Sequence, residues 1–281
     1  MHDFMYGMNS ALIAAVLFAS MVAALEVGYR VGRVRMDGIG EPVRSHVNAV
    51  QGSMLGVLAL LLGFTLSLAL QRFDSRSEAV VSEANAIGTA YLRAALLPGG
   101  PREEAVEALR AYLDVRVRAG AVSLDHEPTR LLLAHEANAT LDRLWNIAVR
   151  AAEVDKSPAT TGLFIQALNE AIDAWGHRDA ELSRHVPEPI LLLLYVTFVI
   201  TAGVVGYGTG LANHRPPGVT YLLLGLIVVL AFIIVDLDRP RRGLLRIDQS
   251  SLQHLAQAMD AAAQPAAPGA AAPRTAVTGR P

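Results

Sequence analysis

Cysteine is absent from the 281 residues, which excludes disulfides, thiolate catalysis, iron–sulfur clusters and cysteine-ligated zinc while leaving the redox compartment open. Lysine is nearly absent too: Lys156 is the one lysine among 24 basic residues, a bias that reads as genome composition more than as chemistry. Charged residues make up 18% of the chain and the formal net charge is -2, which argues against nucleic acid as a partner. Enzyme signatures are missing as well. His126-Glu127 and His135-Glu136 each begin a zinc-protease pattern, but Arg130 and Ala139 stand where the second histidine belongs. There is no glycine-rich phosphate loop ending in lysine, no nucleophile elbow, and no Ser, His and Asp set that the sequence brings together. Neither an enzymatic activity nor a cofactor is expected. Asn138-Ala139-Thr140 fits the glycosylation pattern but falls inside a helical stretch, where it reads as chance.

Apolar residues are plentiful: 52% of the chain is hydrophobic, and the mean hydropathy is +0.35. They gather in four runs, residues 10–29, 47–70, 190–211 and 219–237. At about 1.5 Å per residue, each is long enough to cross roughly 30 Å of hydrocarbon. The first run is not preceded by Lys or Arg, so it reads as a span and not as a secretory leader. Arginine sets the orientation. Arg30, Arg33, Arg35, Arg44 and Arg215 lie in the two short loops, against Arg72, Arg76, Arg178, Arg184, Arg239, Arg241, Arg242 and Arg246 on the other side. That balance favours a cytoplasmic insert and C-terminus.

The layout is a first hairpin over 8–71, a polar insert over 72–187, a second hairpin over 188–238 and a C-terminal segment over 239–281. From residue 261 that segment is rich in Ala and Pro and is expected to be disordered. The insert carries no alternating strand pattern, and its turn signals at 98–101, 120–128 and 155–158 divide it into four helices. The first continues the second span and aligns Ala84, Ile87, Tyr91 and Ala94. The second aligns Val106, Leu109, Leu113 and Val117; the third aligns Ala134, Leu141, Leu144 and Ala148. The fourth is expected to start with Ser157 as N-cap and Pro158 in first position, and to bury Phe164, Leu168, Ile172 and Trp175. Trp145 and Trp175 both read as core packing.

Along the second span, Gly52, Gly56, Ala59, Gly63 and Ser67 form a stripe of small residues. Such a stripe either lets helix backbones approach closely or lines a narrow pore, with Ser53, Thr65 and Ser67 as polar contacts. The same span carries Leu62, Gly63 and Phe64, followed after seven residues by Arg72 and Phe73. That spacing and the two-span, helical insert, two-span layout resemble bestrophins, which are anion channels. An acidic stretch with Pro and Gly past the last span, here Asp236-Leu237-Asp238-Arg239-Pro240-Arg241-Arg242-Gly243, adds to the likeness. The chain is similar above all to a bacterial bestrophin-like membrane protein family. This likeness rests on those motifs together with Asp74, with Glu83-Ala84-Asn85-Ala86-Ile87-Gly88-Thr89 and with Gln166-Ala167-Leu168-Asn169-Glu170.

The resemblance implies a pentameric ring in the bacterial inner membrane, with Phe64, Leu60 and Gly56 at the apolar neck of an anion pore. Gly56 departs from the bulky residue expected there. Calcium gating is not implied, because arginines crowd the acidic stretch. Arg72 and Arg76 read either as pore-mouth cations that concentrate chloride or other anions, or as interfacial anchors. Glu26, Asp236 and Asp238 are acids in or at the bilayer, where a charge usually has a purpose. Glu26 stands one turn before Arg30 and reads as its ion-pair partner, or alternatively as a proton-relay or cation site. The sequence thus predicts an all-α membrane protein, with four transmembrane helices in two hairpins and a helical soluble domain between them. Its partners are lipid, further copies of itself and anions. The alternative function is a membrane-anchored signalling or scaffold protein whose insert binds a partner or ligand.

Overall fold

The computed structural model describes residues 10–36, 39–122, 126–184, 186–238 and 247–263, and their regular structure is entirely helical. The helices are α1 (Ser10–Val34), α2 (Glu41–Ala94), α3 (Gly99–Ala121), α4 (Glu127–Val154), α5 (Thr161–Ser183), α6 (Glu188–Leu211), α7 (Gly218–Leu237) and α8 (Ser250–Ala263). Four of them, α1, α2, α6 and α7, are long and apolar enough to cross a membrane. α2 has 54 residues, so at helical rise it is about 80 Å long and carries the second span into the insert without a break. Pro42 sits in its first turn, Pro98 follows its end, and no proline stands between them.

The spans do not pair as the two hairpins expected from chain order. α1 packs along α6 and also touches α7, whereas α2 lies against α6 and α7; neither α1 with α2 nor α6 with α7 packs along its length. Glycine explains the α1 to α6 pairing. A β-carbon at Gly28 would strike the Gly203 carbonyl, one at Gly206 the Leu25 carbonyl, one at Gly32 the Tyr207 carbonyl and one at Gly210 the Tyr29 carbonyl. The two helices therefore meet backbone to backbone, each supplying glycines four residues apart. Around this seam Leu17, Met21 and Leu25 of α1 join Leu194, Phe198 and Ala202 of α6, Leu58 and Leu62 of α2, and Leu224, Ile227 and Ile234 of α7 in one apolar core.

A second core holds the insert together. α2 contributes Val80, Ile87, Ala90 and Ala94, α3 contributes Leu109, Tyr112 and Leu113, α4 contributes Leu141, Leu144 and Ile147, and α5 contributes Phe164 and Leu168. Tyr91, Val106, Val117, Ile172 and Trp175 are partly buried beside it. Leu252 and Met259 of α8 complete this core, so part of the C-terminal segment is an ordered helix seated on α2 and α3, an element the sequence reading did not assign. That helix extends to Ala263; the remainder of the expected disordered tail lies outside the described residues. Trp145 is 42% exposed, which corrects the expectation that it packs in the core.

The start of α5 also differs from expectation, since the helix begins at Thr161 and not at Pro158. The Asp155 carboxylate accepts the Ser157 N–H (2.9 Å) and the Thr160 hydroxyl, while the Ser157 hydroxyl accepts the Ala159 N–H (3.2 Å). These bonds satisfy the backbone in a turn and delay the helix. They also hold the Asp155 carboxyl below its ordinary range, chiefly through Thr160.

Gly206→Ala tests the α1 to α6 seam. Forcing a methyl against the Leu25 carbonyl should cost about 1 to 3 kcal/mol, read as a lower thermal midpoint in detergent. Gly225→Ala on α7, where a β-carbon meets nothing within 4 Å, should be neutral or slightly stabilising.

Candidate functional site

The membrane half of α2 has two unlike faces. Leu58, Leu62, Thr65 and Ala69 are buried against the bundle, whereas Ser53, Val57, Leu60, Phe64, Ser67 and Gln71 are exposed at alternating steps of four and three residues. This stripe is apolar in its middle and polar at both ends. Leu60 and Phe64 are 58% and 61% exposed, so the described residues of the protomer leave them open. The small residues Gly52, Gly56, Ala59 and Gly63 flank the stripe, meet it at Ser67 and are exposed as well. A β-carbon at Gly52, Gly56 or Gly63 would meet no atom within 4 Å, so these three glycines are in contact with no described helix of the same chain. Gly56 lies at the edge of the exposed face, and Val57 supplies the third bulky apolar side chain. Thr65 is buried, its hydroxyl donating to Leu61 (2.8 Å) and Leu62 (3.1 Å), which corrects its expected place among the exposed polar contacts.

Where α2 leaves the bundle, the two arginines part company. Arg72 is half-buried, and its Nη1 is buried without a hydrogen-bond partner among the described residues. Arg76 is only 2% exposed. Its Nε donates to the Glu181 carbonyl (3.1 Å), its Nη1 to the carbonyls of Leu237 (3.4 Å) and Asp238 (3.3 Å), and its Nη2 to the Arg184 carbonyl. These oxygens belong to the C-terminal ends of α5 and α7, where backbone acceptors lack intrahelical partners and partial negative charge accumulates. Asp238 adds a carboxylate 3.9 Å from the guanidinium and accepts the Val186 N–H at 2.9 Å. Arg76 is thus a buried anchor joining α2, α5 and α7, and a pore-mouth role for it is corrected on that ground.

The acids are also distinguished. Asp236 is buried in the last turn of α7, two residues before Asp238. Glu26 accepts from Arg30 Nε at 2.8 Å on the exposed surface of α1, the one-turn ion pair expected. Residues 239–246, including the arginines and Gly243 of the acidic stretch, lie outside the described residues.

One turn-pair further along α2 is a cluster that the sequence reading missed. Glu83 is fully buried; it accepts Arg116 Nε (2.5 Å) and Nη2 (3.4 Å) from α3 and also pairs with Arg178 Nη1 from α5. Arg178 Nη2 donates to Gln249, just before α8, at 2.7 Å. Burial lowers the Arg178 pKa while Glu83 raises it, and burial followed by the Glu83 charge pushes the Tyr112 phenol well above its ordinary value. A signal was present in the sequence: Leu62, Ala69, Arg76, Glu83, Ala90 and Leu97 are seven residues apart on one buried line, and two of them are charged.

Four helices long and apolar enough to cross a membrane, one of which runs on into a second helical core, define a multi-pass, all-helical membrane protein. The sequence matches the bestrophin-like domain over residues 13–252, and the chain belongs to the bestrophin-like family. Among solved structures it is similar to crystal structures of mutants of a bacterial bestrophin homologue from Klebsiella pneumoniae. Two of these align with TM-scores of 0.63 and 0.61 at 17% identity, covering 89% and 92% of this chain and 98% and 100% of theirs. That likeness shows a shared fold. No protein of curated function matches the sequence.

Removing either buried charge should be costly. Arg76→Met leaves helix-end carbonyls without a donor and Glu83→Gln leaves two guanidiniums without a counter-ion, and each is expected to cost about 3 to 5 kcal/mol. The losses are measurable as reduced thermal midpoint and yield of monodisperse protein, against Glu78→Gln on an exposed position of the same helix.

Tyr112 generates a pH prediction. Its folded pKa lies above the ordinary 10.0, so the stability it contributes is complete below pH 10.0 and declines as pH rises through and beyond that value. Tyr112→Phe should flatten the alkaline fall in thermal midpoint.

Proposed function

We propose that five copies assemble into a ring in the bacterial inner membrane, with α2 facing the axis, and that the ring conducts chloride or other small anions. The observation that carries this reading is the exposed stripe of α2. An apolar stretch of Val57, Leu60 and Phe64 between Ser53 on one side and Ser67 and Gln71 on the other has the makeup of a narrow constriction with polar approaches. The glycine-rich flank beside it, open in the protomer, suits close approach of a second copy. Leu60 and Phe64, one turn apart, face the axis together in such a ring. Val57 takes the place for which Gly56 is too small. Arg72, with an unpartnered buried donor, supplies positive potential at the inner end. The insert and C-terminus are assigned to the cytoplasm on the arginine balance, and the solved structures of a bacterial bestrophin homologue support the fold on which this reading rests.

Chloride flux into liposomes, with native mass spectrometry of the same samples, tests the proposal. Phe64→Ala should raise flux by shortening the apolar barrier, and Arg72→Ala should lower it, both without loss of the pentamer. A wild-type ring and a Phe64→Ala ring that each pass no more chloride than protein-free liposomes would overturn the channel. Monomers or dimers alone would favour the anchored scaffold.

A further inference from the structure

The insert has an open cavity of about 360 Å³ between α3, α4 and α5, far along the chain from the exposed stripe of α2. Its volume falls within the roughly 300–1,000 Å³ common among small-molecule sites. Arg116 of α3 lies at its inner wall and is only 7% exposed. Two of its nitrogens, Nε and Nη2, are taken by Glu83; Nη1 makes no hydrogen bond among the described residues. Behind it, two guanidiniums, Arg116 and Arg178, share the single carboxylate of Glu83, so the buried cluster carries one surplus positive charge and opens toward the cavity through Arg116. The rest of the lining is mixed. Trp175 gives a flat indole wall, Leu133 an apolar one, Asn138 an amide and Arg130 a second cation, while Asp179 is exposed.

We propose that this cavity binds a small organic carboxylate with a flat apolar body. The carboxylate takes the open Nη1 of Arg116 and an amide hydrogen of Asn138, completing a guanidinium whose other side is already neutralised by Glu83. The body lies between Trp175 and Leu133, where burial of apolar surface adds affinity. A neutral molecule of the same shape leaves the surplus charge unanswered and binds less well. Asp179 is the one acidic group among the described lining residues, and its repulsion sets a limit on affinity. The site does not depend on ion conduction, so it stands or falls separately from the proposed channel.

The two tryptophans make the test direct. Trp145 is outside the cavity, and Trp145→Phe leaves Trp175 as the sole indole reporter. The full-length Trp145→Phe protein in nanodiscs is titrated with 3-phenylpropionate and, separately, with 3-phenylpropanol, following Trp175 emission. The expected result is a saturable change with the acid and binding at least about tenfold weaker for the alcohol. Asp179→Asn should tighten the acid about threefold by removing a like charge. Ala134→Phe, which fills the cavity from α4, should abolish the response. Equal responses to acid and alcohol, a response that never saturates, or a folded Ala134→Phe protein that still responds would overturn the proposal. Where Ala134→Phe fails to fold, the alcohol comparison and Asp179→Asn decide it.

Discussion

The bundle and the insert have separate apolar cores, and the guanidinium of Arg76 is where they are tied. Helices α5 and α7 both end at this level, and each ends with carbonyls that nothing within its own helix can satisfy. In a buried place those oxygens need donors, and a planar cation with five N–H groups serves two helix ends at once while its charge meets their dipoles. Because Arg76 is carried by α2, satisfying the ends of α5 and α7 also fixes both against the helix that leaves the bundle. Asp238 reinforces the junction by accepting from Val186 in the link to α6. The burial of a full charge is tolerable here because so many acceptors surround it.

Other features of α2 follow from its being one rigid rod. Its membrane half offers one face to the bundle and leaves the other open; its outer half is a strut against which α3, α5 and α8 are assembled. Glu83 plays the part in the insert that Arg76 plays at the junction. It draws one arginine from α3 and another from α5, and Gln249 brings the approach to α8 into the same network. A β-carbon at Gly120 would crowd the side chain of that glutamine, so the end of α3 lies close against the cluster. Buried ion pairs are weak sources of net stability. Their effect here is to specify which helices converge on Glu83, a choice that the alanine-rich apolar contacts around them define less sharply.

Glycine has two opposite uses in the membrane half. On α1 and α6 it removes side chains so that two backbones touch within one protomer. On α2 it leaves a smooth, open flank beside a row of bulky apolar residues. Both patterns repeat small residues at about one helical turn.

Much of this was legible in the sequence. Four apolar runs, prolines at the helix boundaries and a proline-free stretch from residue 43 to 97 determined the four helices able to cross a membrane and the continuity of α2, because these depend on local hydropathy and backbone sterics. The short motifs determined the family resemblance, and that resemblance pointed to Leu60 and Phe64 as residues of interest. Which stripe of glycines is interior was not legible, since the periodicity of Gly28 and Gly32 is no different in kind from that of Gly52 and Gly56. Nor was the burial of Arg76, whose acceptors lie 105 to 162 residues away in the chain, or of Glu83, whose partners come from two other helices. Periodicity tells a helix that one of its faces must be covered; the neighbour that covers it, and the charges that this neighbour brings, are settled only when distant segments pack.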